Sequence, residues 1–315
     1  MITAQILVTN NESTIAKCLD SLVDSQIEIV IGNLGSQDKT IEICKKYTNK
    51  IIDVSSYRDH SIARKNLIKL TENNSIIIMN PWEILFSGKD LLSNFKEDKK
   101  NFKISIIQGD VLTEEIRIVG KRGKYKICNP IFESIEGESS RLQIYLSSSG
   151  REDLDYYCKK IELWKKQNPL DLDPIYYSAF LSLTLKNWDN FINYAHVYIA
   201  KQKKLTMSKV MIHYYLAMVL IYIKKDFQQA AKNLVFCISK RPMMAEFWCL
   251  LGDLHLSIND FKKSKRFYEI ALDLGSQRLN NDDWPVEISK YKTYPEKMIK
   301  SCEANLSSSK IYSPV

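Results

Sequence analysis

The residues of this chain that could do chemistry stand at the ends of short apolar runs. In Ser75–Glu83, SIIIMNPWE, an apolar run breaks off at Asn80 and Pro81 and is followed by Trp82 and Glu83. A continuous apolar run suits a strand covered on both faces, and proline cannot donate to a ladder, so pairing stops there. Asn80, Trp82 and Glu83 are thereby left at the carboxyl end of a strand, where open α/β sheets hold their ligands. A carboxylate in that place holds a cation or accepts a proton. An indole there either stacks on a base or sugar ring or packs as a lid over the sheet edge. Earlier turns carry polar residues of the same kind: Asn11 and Glu12, Asn33 and Ser36, and Asp59. The cations available to an anionic ligand are Arg64, Arg117 and the stretch GKRGKYK at 120–126.

The elements that must position these residues follow from periodicity. Residues 4–9 read as a buried strand, and a polar turn at 10–12 opens a helix with Ile15, Cys18, Leu19 and Leu22 on one face. Residues 27–31 form a second strand, after which Gly32 and Gly35 punctuate a turn whose Ser36 or Asp38 caps a helix bearing Ile41, Cys44 and Tyr47. A third strand at 50–54 leads to a helix over 60–70, with Ile62, Asn66 and Lys69 outward and Ala63, Leu67 and Leu70 inward. Such alternation demands right-handed crossovers and a mainly parallel sheet, which gathers the turns after each strand on one edge. Beyond Glu83 the pattern gives a helix and a charged loop over 87–103 and a strand at 104–111. A hairpin is expected from 115–119 and 125–128 around GKRGK, and helical structure from Ser139 onward.

The second half repeats itself. Asp226 and Phe227 recur 34 positions later as Asp260 and Phe261, Ala230 recurs as Ser264, Cys237 as Ala271, Ile238 as Leu272 and Tyr214 as Trp248. That period, with small residues where two helices cross, is the tetratricopeptide pattern, and GDLHLSINDFKKSKRFYEIAL from Gly252 fits it well. A looser copy runs from Asp173 through Trp188 to Tyr198, set further from the next by the insert KQKKLTMSK. Asp283, Trp284 and Pro285 lead to a capping helix around Tyr294–Cys302, followed by a polar tail that is expected to fray. The stack either binds a peptide or a second subunit on its concave face, or buttresses its neighbour. His213, His255 and the Tyr and Met residues of these helices read as core.

The whole-chain totals bound the reading. A chain of 315 residues accommodates two domains, and 45% hydrophobic with 26% charged residues is a soluble composition. The start lacks the features of a secretory signal, and the longest apolar run, 210–223, is too short to span a bilayer, so a cytoplasmic location is expected. Seven cysteines without a CxxC pair read as reduced, mostly buried thiols. Lys-rich helix faces account for most of the net charge of +8, and no nucleic-acid partner is indicated.

In order and spacing these signals resemble the family 2 glycosyltransferases of the GT-A fold, and within them a bacterial peptide S-glycosyltransferase group with tetratricopeptide repeats behind the transferase domain. The family pattern of NE, GSTDxT and DxSxAR is met by Asn11 and Glu12, by Gly35, Ser36, Asp38 and Thr40, and by Asp59, Ser61, Ala63 and Arg64. The resemblance implies an α/β GT-A domain over 1–150, a linker helix over 151–172, all-α tetratricopeptide repeats over 173–275, and a capping helix with tail over 276–315. It places the nucleotide against Asn11, Glu12, Asn33 and Asp59, with Arg64 beside them, and the diphosphate and sugar against Asn80, Trp82 and Glu83.

Three departures bear on mechanism. Asn33 replaces the acidic residue that closes the second strand in the family, and Asn80, Pro81 and Trp82 stand for its metal-binding DxD triplet, with Glu83 kept. In the later FHGxVHE stretch both histidines are missing, as Cys128 and Phe132, while Glu133 remains. An amide, an imino ring and an indole do not replace two carboxylates at Mn or Mg. Three explanations stay open. The enzyme is metal-independent and meets the diphosphate with Lys or Arg; it has lost transfer and kept a pocket; or Glu83 with a distant carboxylate holds a weak metal site.

The expected function is transfer of a sugar from a nucleotide-sugar donor, UDP-linked by resemblance, to a peptide, protein or glycan acceptor, with inversion at the anomeric carbon. Glu133 is the expected base and Asp110 the fallback. The competing reading is a catalytically inactive nucleotide sensor or a tetratricopeptide scaffold, with a homodimer open in either case.

Overall fold

Four apolar runs, each closed by a polar turn, assemble the sheet that carries the site. The computed structural model describes residues 1–23, 26–57, 59–131, 133–149, 154–275 and 285–311. Phe132, Asp283, Trp284 and the last four residues of the tail lie outside them. The chain divides into two compact units, Met1–Lys160 and Ile161–Val315.

The first unit begins β1 (Ile2–Val8), α1 (Ile15–Asp20), β2 (Glu28–Asn33), α2 (Thr40–Cys44), β3 (Ile51–Asp53), α3 (His60–Leu70) and β4 (Ser75–Met79). These strands lie in the order β3-β2-β1-β4, all parallel, with Val8 level with Asn33 and Asn33 level with Asp53. All residues of β1 and β4 are buried, as continuous apolar runs covered on both faces should be. Asp59 caps α3 by accepting from the N–H groups of Ser61 at 2.7 Å and Ile62 at 3.2 Å. One face of α3 differs from expectation: Leu70 is 60% exposed, while His60 and Arg64 are buried. At the last turn the chain already leaves for β4, so Leu70 has nothing to pack against.

The chain then departs from pure alternation with β5 (Glu83–Ser87), α4 (Lys89–Ser93), β6 (Asn101–Gln108), β7 (Val111–Gly120), β8 (Lys126–Cys128), β9 (Ser134–Glu136) and β10 (Ser139–Ser148). The sheet continues β4-β7-β6-β10-β5, with β7 antiparallel to β4 and to β6, so the sheet is mixed. Two expectations are corrected here. The segment from Ser139 to Ser148 is a strand, in which Ile144 and Leu146 are buried at period two, and the helix described after it is Leu154–Gln167. The expected hairpin across GKRGK does not form either: β7 pairs with β4 and β6, and β8 pairs with β9. At ten residues β7 is long enough to lie between two neighbours, and at its end Gly120 meets the backbone of Asp98 so closely that an added Cβ would sit 2.2 Å from its carbonyl carbon.

A helix, α5 (Leu154–Gln167), runs across the division and is followed by α6 (Asp173–Thr184), α7 (Trp188–Lys201), α8 (Met207–Val219), α9 (Phe227–Lys240), α10 (Ala245–Ser257), α11 (Phe261–Leu274) and α12 (Thr293–Ile311). The repeat is visible in its turns. Asn187, Asp226 and Asp260 cap α7, α9 and α11 by accepting from the N–H three residues on, and each follows a left-handed residue, Lys186, Lys225 or Asn259. The buried triplets Phe191, Ala195 and Tyr198, Ala230, Leu234 and Cys237, and Ser264, Tyr268 and Ala271 occupy matching places on those helices. The longer first interval goes mostly into helix rather than loop: aligned on Asp226 and Asp260, α8 starts a full turn earlier than α10. It also continues as a π-helix over Leu220–Lys224, and Tyr222 there donates to the buried Asp253 at 2.5 Å. Tyr268 and Tyr294 donate to the same carboxylate, each at 2.6 Å, tying α11 and α12 to α10.

Gly252 is required where α10 crosses α11, since a Cβ would lie 2.6 Å from the Tyr268 ring. Gly252→Val should destabilise the repeat unit by about 1–3 kcal/mol through overpacking. Thermal unfolding followed by calorimetry checks this, and an unchanged transition contradicts the assigned crossing.

Candidate functional site

Three layers of side chains occupy the carboxyl end of the parallel strands. The outermost is a set of turns whose polar side chains close the backbone. Asn11 Oδ1 accepts from Thr9 N at 2.7 Å while Asn11 N donates to Thr40 Oγ1 at 2.7 Å. Glu12 Oε2 accepts from Lys39 N, and Glu12 N donates to Asp38 Oδ2, both at 3.0 Å, so the turns after β1 and β2 bind each other. Asn33 Oδ1 accepts from Gly35 N and Ser36 N, forming an Asx turn. Gly35, at φ +99°, makes that turn possible. Asp53, which sequence reasoning missed, lies level with Asn33; it is exposed, and hydrogen bonds from Ser55 lower its pKa. Its signal was its place as the last residue of the third apolar run.

The second layer is the turn Asn80–Glu83. Glu83 N donates to Asn80 O at 3.0 Å, closing a β-turn that suits asparagine first and proline second. Glu83 is 2% exposed, and its carboxylate folds back over the turn: Oε2 accepts from Asn80 N at 2.7 Å and Oε1 from Asn80 Nδ2 at 2.8 Å. The half-buried Trp82 accepts at its carbonyl from Ser149 N and Oγ, both at 3.3 Å. Beneath the turn, Cys18 Sγ lies 3.5 Å from Asn80 O, and burial first, then the Glu83 charge, pushes this thiol well above its ordinary pKa, so it stays a neutral donor.

Arg117 completes this layer. Phe102 pairs with Ile118 but Lys103 pairs with Ile116, so Arg117 is the extra residue of a β-bulge in β7. A bulge re-aims the side chain it carries. Here Nη2 meets Glu83 Oε1 at 2.9 Å and Nε meets Glu115 Oε2 at 3.0 Å. Burial opposes the charge of this guanidinium, but Glu83, Glu115 and Glu133 together raise its pKa above the ordinary value. The stretch GKRGKYK does not join it. Gly120 pairs with Ser75 at the amino end of β4, so Lys121 and Arg122 lie at the opposite end of the strand from Glu83.

The third layer is an ion pair between α3 and the loop after β8. Arg64, 1% exposed, gives Nε at 2.8 Å and Nη2 at 2.7 Å to Glu133 Oε1, and Nη1 at 3.1 Å to Gln5 O. Glu133 Oε2 is buried without a hydrogen-bond partner among the described residues. His60 N donates to Pro130 O at 2.7 Å, and its Nε2 lies 2.7 Å from Tyr156 Oη. Burial lowers the His60 pKa, with Lys160 and Arg64 acting in the same sense and Glu133 partly opposing them. Asp110, the fallback base, lies in the exposed turn between β6 and β7.

The donor set does not fit a divalent cation. Pro81 and Trp82 bring no side-chain oxygen, and both oxygens of Glu83 are engaged by Asn80 and Arg117. Among the described residues no group of three or more His, Cys, Asp or Glu is arranged to hold a metal ion. A cavity of about 540 Å³ lies against α1 and β5, lined by Lys17, Asp20, Phe86 and Lys89 among others, and none of the residues above lines it.

Residues 4–81 match the family model of glycosyl transferase family 2. The parallel strands of the first unit carry that match within a mixed GT-A-like sheet, and the second unit is a tetratricopeptide stack. The match ends inside the Asn80–Glu83 turn. No curated protein sequence matches the chain. Among solved structures, MamA (41-end) from Desulfovibrio magneticus RS-1 is 16% identical over 50% of this chain and 84% of its own, with a TM-score of 0.39. The Sgt2 TPR domain from Aspergillus fumigatus is 12% identical over 46% of this chain and 85% of its own, with a TM-score of 0.36. Glucosyl-3-phosphoglycerate synthase from Mycobacterium tuberculosis, solved with Mg2+ and uridine-diphosphate, is 18% identical over 34% of this chain and 43% of its own, with a TM-score of 0.28. No helix among the described residues is long and apolar enough to cross a membrane.

Two outcomes follow for the first unit. Arg64→Met leaves Glu133 without its counter-charge and should cost about 3–5 kcal/mol, whereas Arg64→Met with Glu133→Gln should cost clearly less. Equal losses on thermal unfolding contradict the pairing. Because folding depresses the His60 pKa, its contribution is present above the unfolded value of about 6.5 and is lost as pH falls through the folded value. His60→Gln should flatten the fall in melting temperature below that pH, and an unaltered slope contradicts a buried neutral imidazole.

Proposed function

We propose that the first unit transfers a sugar from a nucleotide-sugar donor, UDP-linked by preference, to a hydroxyl or thiol of a peptide, protein or glycan acceptor, without a divalent metal. The nucleotide lies along Asn11, Glu12, Asn33 and Asp59, all four of which hold backbone N–H groups with a side-chain oxygen and so fix the turns of that edge. The sugar and diphosphate lie by Asn80, Trp82 and Glu83. Arg64 acts through Glu133 rather than on the donor.

The observation that carries this reading is the asymmetry of Glu133: one oxygen takes two N–H groups of Arg64, and the other is buried with no partner among the described residues. A buried acceptor left open calls for an explanation, and a general base supplies one, since its free oxygen must take the proton of the attacking acceptor. The carboxylate is fixed by one edge and keeps the other for chemistry. With Oε2 enclosed, an acceptor reaches it only once the enclosing side chains move.

The second reading, a nucleotide sensor or a repeat scaffold, is favoured by the Asn80–Glu83 turn, which closes on itself where the family holds its metal. Incubating the full chain with several nucleotide sugars, with and without Mn, and measuring released nucleotide and thermal shift separates the two. Transfer or hydrolysis that proceeds in EDTA and falls about 100-fold or more in Glu133→Gln is the result expected of an enzyme. A thermal shift without turnover supports the sensor, and no response at all supports the scaffold.

A further inference from the structure

We propose that Arg117 is the fixed cation of this site, standing where a divalent ion would be held against the diphosphate of a nucleotide ligand. This rests on the nucleotide-binding reading above and deepens it. A divalent ion in such a site is gripped by two carboxylates on one side and offers its remaining coordination to phosphate oxygens on the other. Arg117 is gripped in the same way, by Glu83 at 2.9 Å and Glu115 at 3.0 Å. A guanidinium carries five N–H donors in a fixed fork. Two of them serve these contacts, and Nη1 has no partner among the described residues. That free edge is suited to a phosphate, which guanidinium binds through paired N–H bonds.

Register makes the placement specific. Without the extra residue between Ile116 and Ile118, residue 117 would sit in the regular ladder of β7; the bulge sends it to Glu83 instead. Other nearby cations are otherwise engaged or remote. Arg64 spends Nε, Nη1 and Nη2 on Glu133 and Gln5, and Lys121 and Arg122 lie beyond the amino end of β4. Asn80, Pro81, Trp82 and Arg117 therefore form one substitution in physical terms. The two carboxylates of the family triplet, which would repel a diphosphate without their metal, are replaced by Asn80 and Trp82, and a permanent side-chain charge stands beside the kept Glu83. One unit charge held between two carboxylates leaves the cluster net negative where a divalent ion would leave it neutral, so Arg117 acts through directed N–H bonds to phosphate, and weaker but metal-independent binding is expected.

The test is calorimetric titration of the full chain with UDP, GDP and dTDP, each in EDTA and in Mn, with pyrophosphate alone as the arm for a free inorganic ligand. The expected result is nucleoside diphosphate binding that is the same in EDTA and Mn and at least tenfold weaker in Arg117→Met with Glu83→Gln, a pair that leaves no buried charge alone. Arg117→Lys, which keeps charge but loses the fork, should fall between. Binding that requires Mn, or that is unchanged in both variants, overturns the role of Arg117 and leaves nucleotide binding by the domain standing. Pyrophosphate binding as tight as the nucleotides' overturns a nucleotide-specific site. No binding of any diphosphate by the folded wild-type chain overturns this role and the nucleotide reading together.

Discussion

A carboxylate buried to 2% exposure must have a counter-charge, and the structure of the first unit around Glu83 follows from that need. Moving such a group out of water unpaired is costly enough to unfold a marginal domain. Asn80 meets part of the requirement with two N–H donors and Arg117 meets the rest with charge. That arginine comes from a bulge in β7, the strand that pairs antiparallel with β4. The turn, the antiparallel strand and the bulge meet at this one contact.

A second buried pair, Arg64 with Glu133, does for the loop after β8 what the first does for the Asn80–Glu83 turn. It ties the loop to α3, and His60 adds a backbone bond to Pro130 from the same helix. The two pairs lie close enough that Glu133 contributes to the charge environment of Arg117. In the repeat unit the comparable device is Asp253, whose charge is met by three tyrosine hydroxyls and, at 3.8 Å, by Lys290. There the purpose is to lock helices, and no polar atom of Asp253 is left open, whereas Glu133 leaves one.

What could be read from the sequence was what is local. The runs ending at Val8, Asn33, Asp53 and Met79 announce strands by composition, and the alternation with helices fixes their parallel order. The 34-residue echo between Asp226 and Asp260 gives the repeat stack, down to the capping aspartates. What escaped is non-local. The strand from Ser139 has a period of two in Leu142, Ile144 and Leu146, but its partners β6 and β5 are remote, and the helical stretch that follows drew the boundary too early. A bulge exists only relative to a partner strand, so nothing in EEIRIVG marks Arg117 as displaced. Likewise Asn11, Asn33 and Asp59 announce polar turns, while whether their oxygens face a ligand or their own backbone is decided by two or three residues of local geometry.

The most direct measurement is a crystal structure of the full chain grown with UDP and Mn. The account predicts uracil and ribose along the edge by Asn33 and Asp53, a phosphate oxygen within hydrogen-bond distance of Arg117 Nη1, and no metal on Glu83. A manganese ion bound to Glu83 with Arg117 turned away, or UDP seated elsewhere on the molecule, would contradict it.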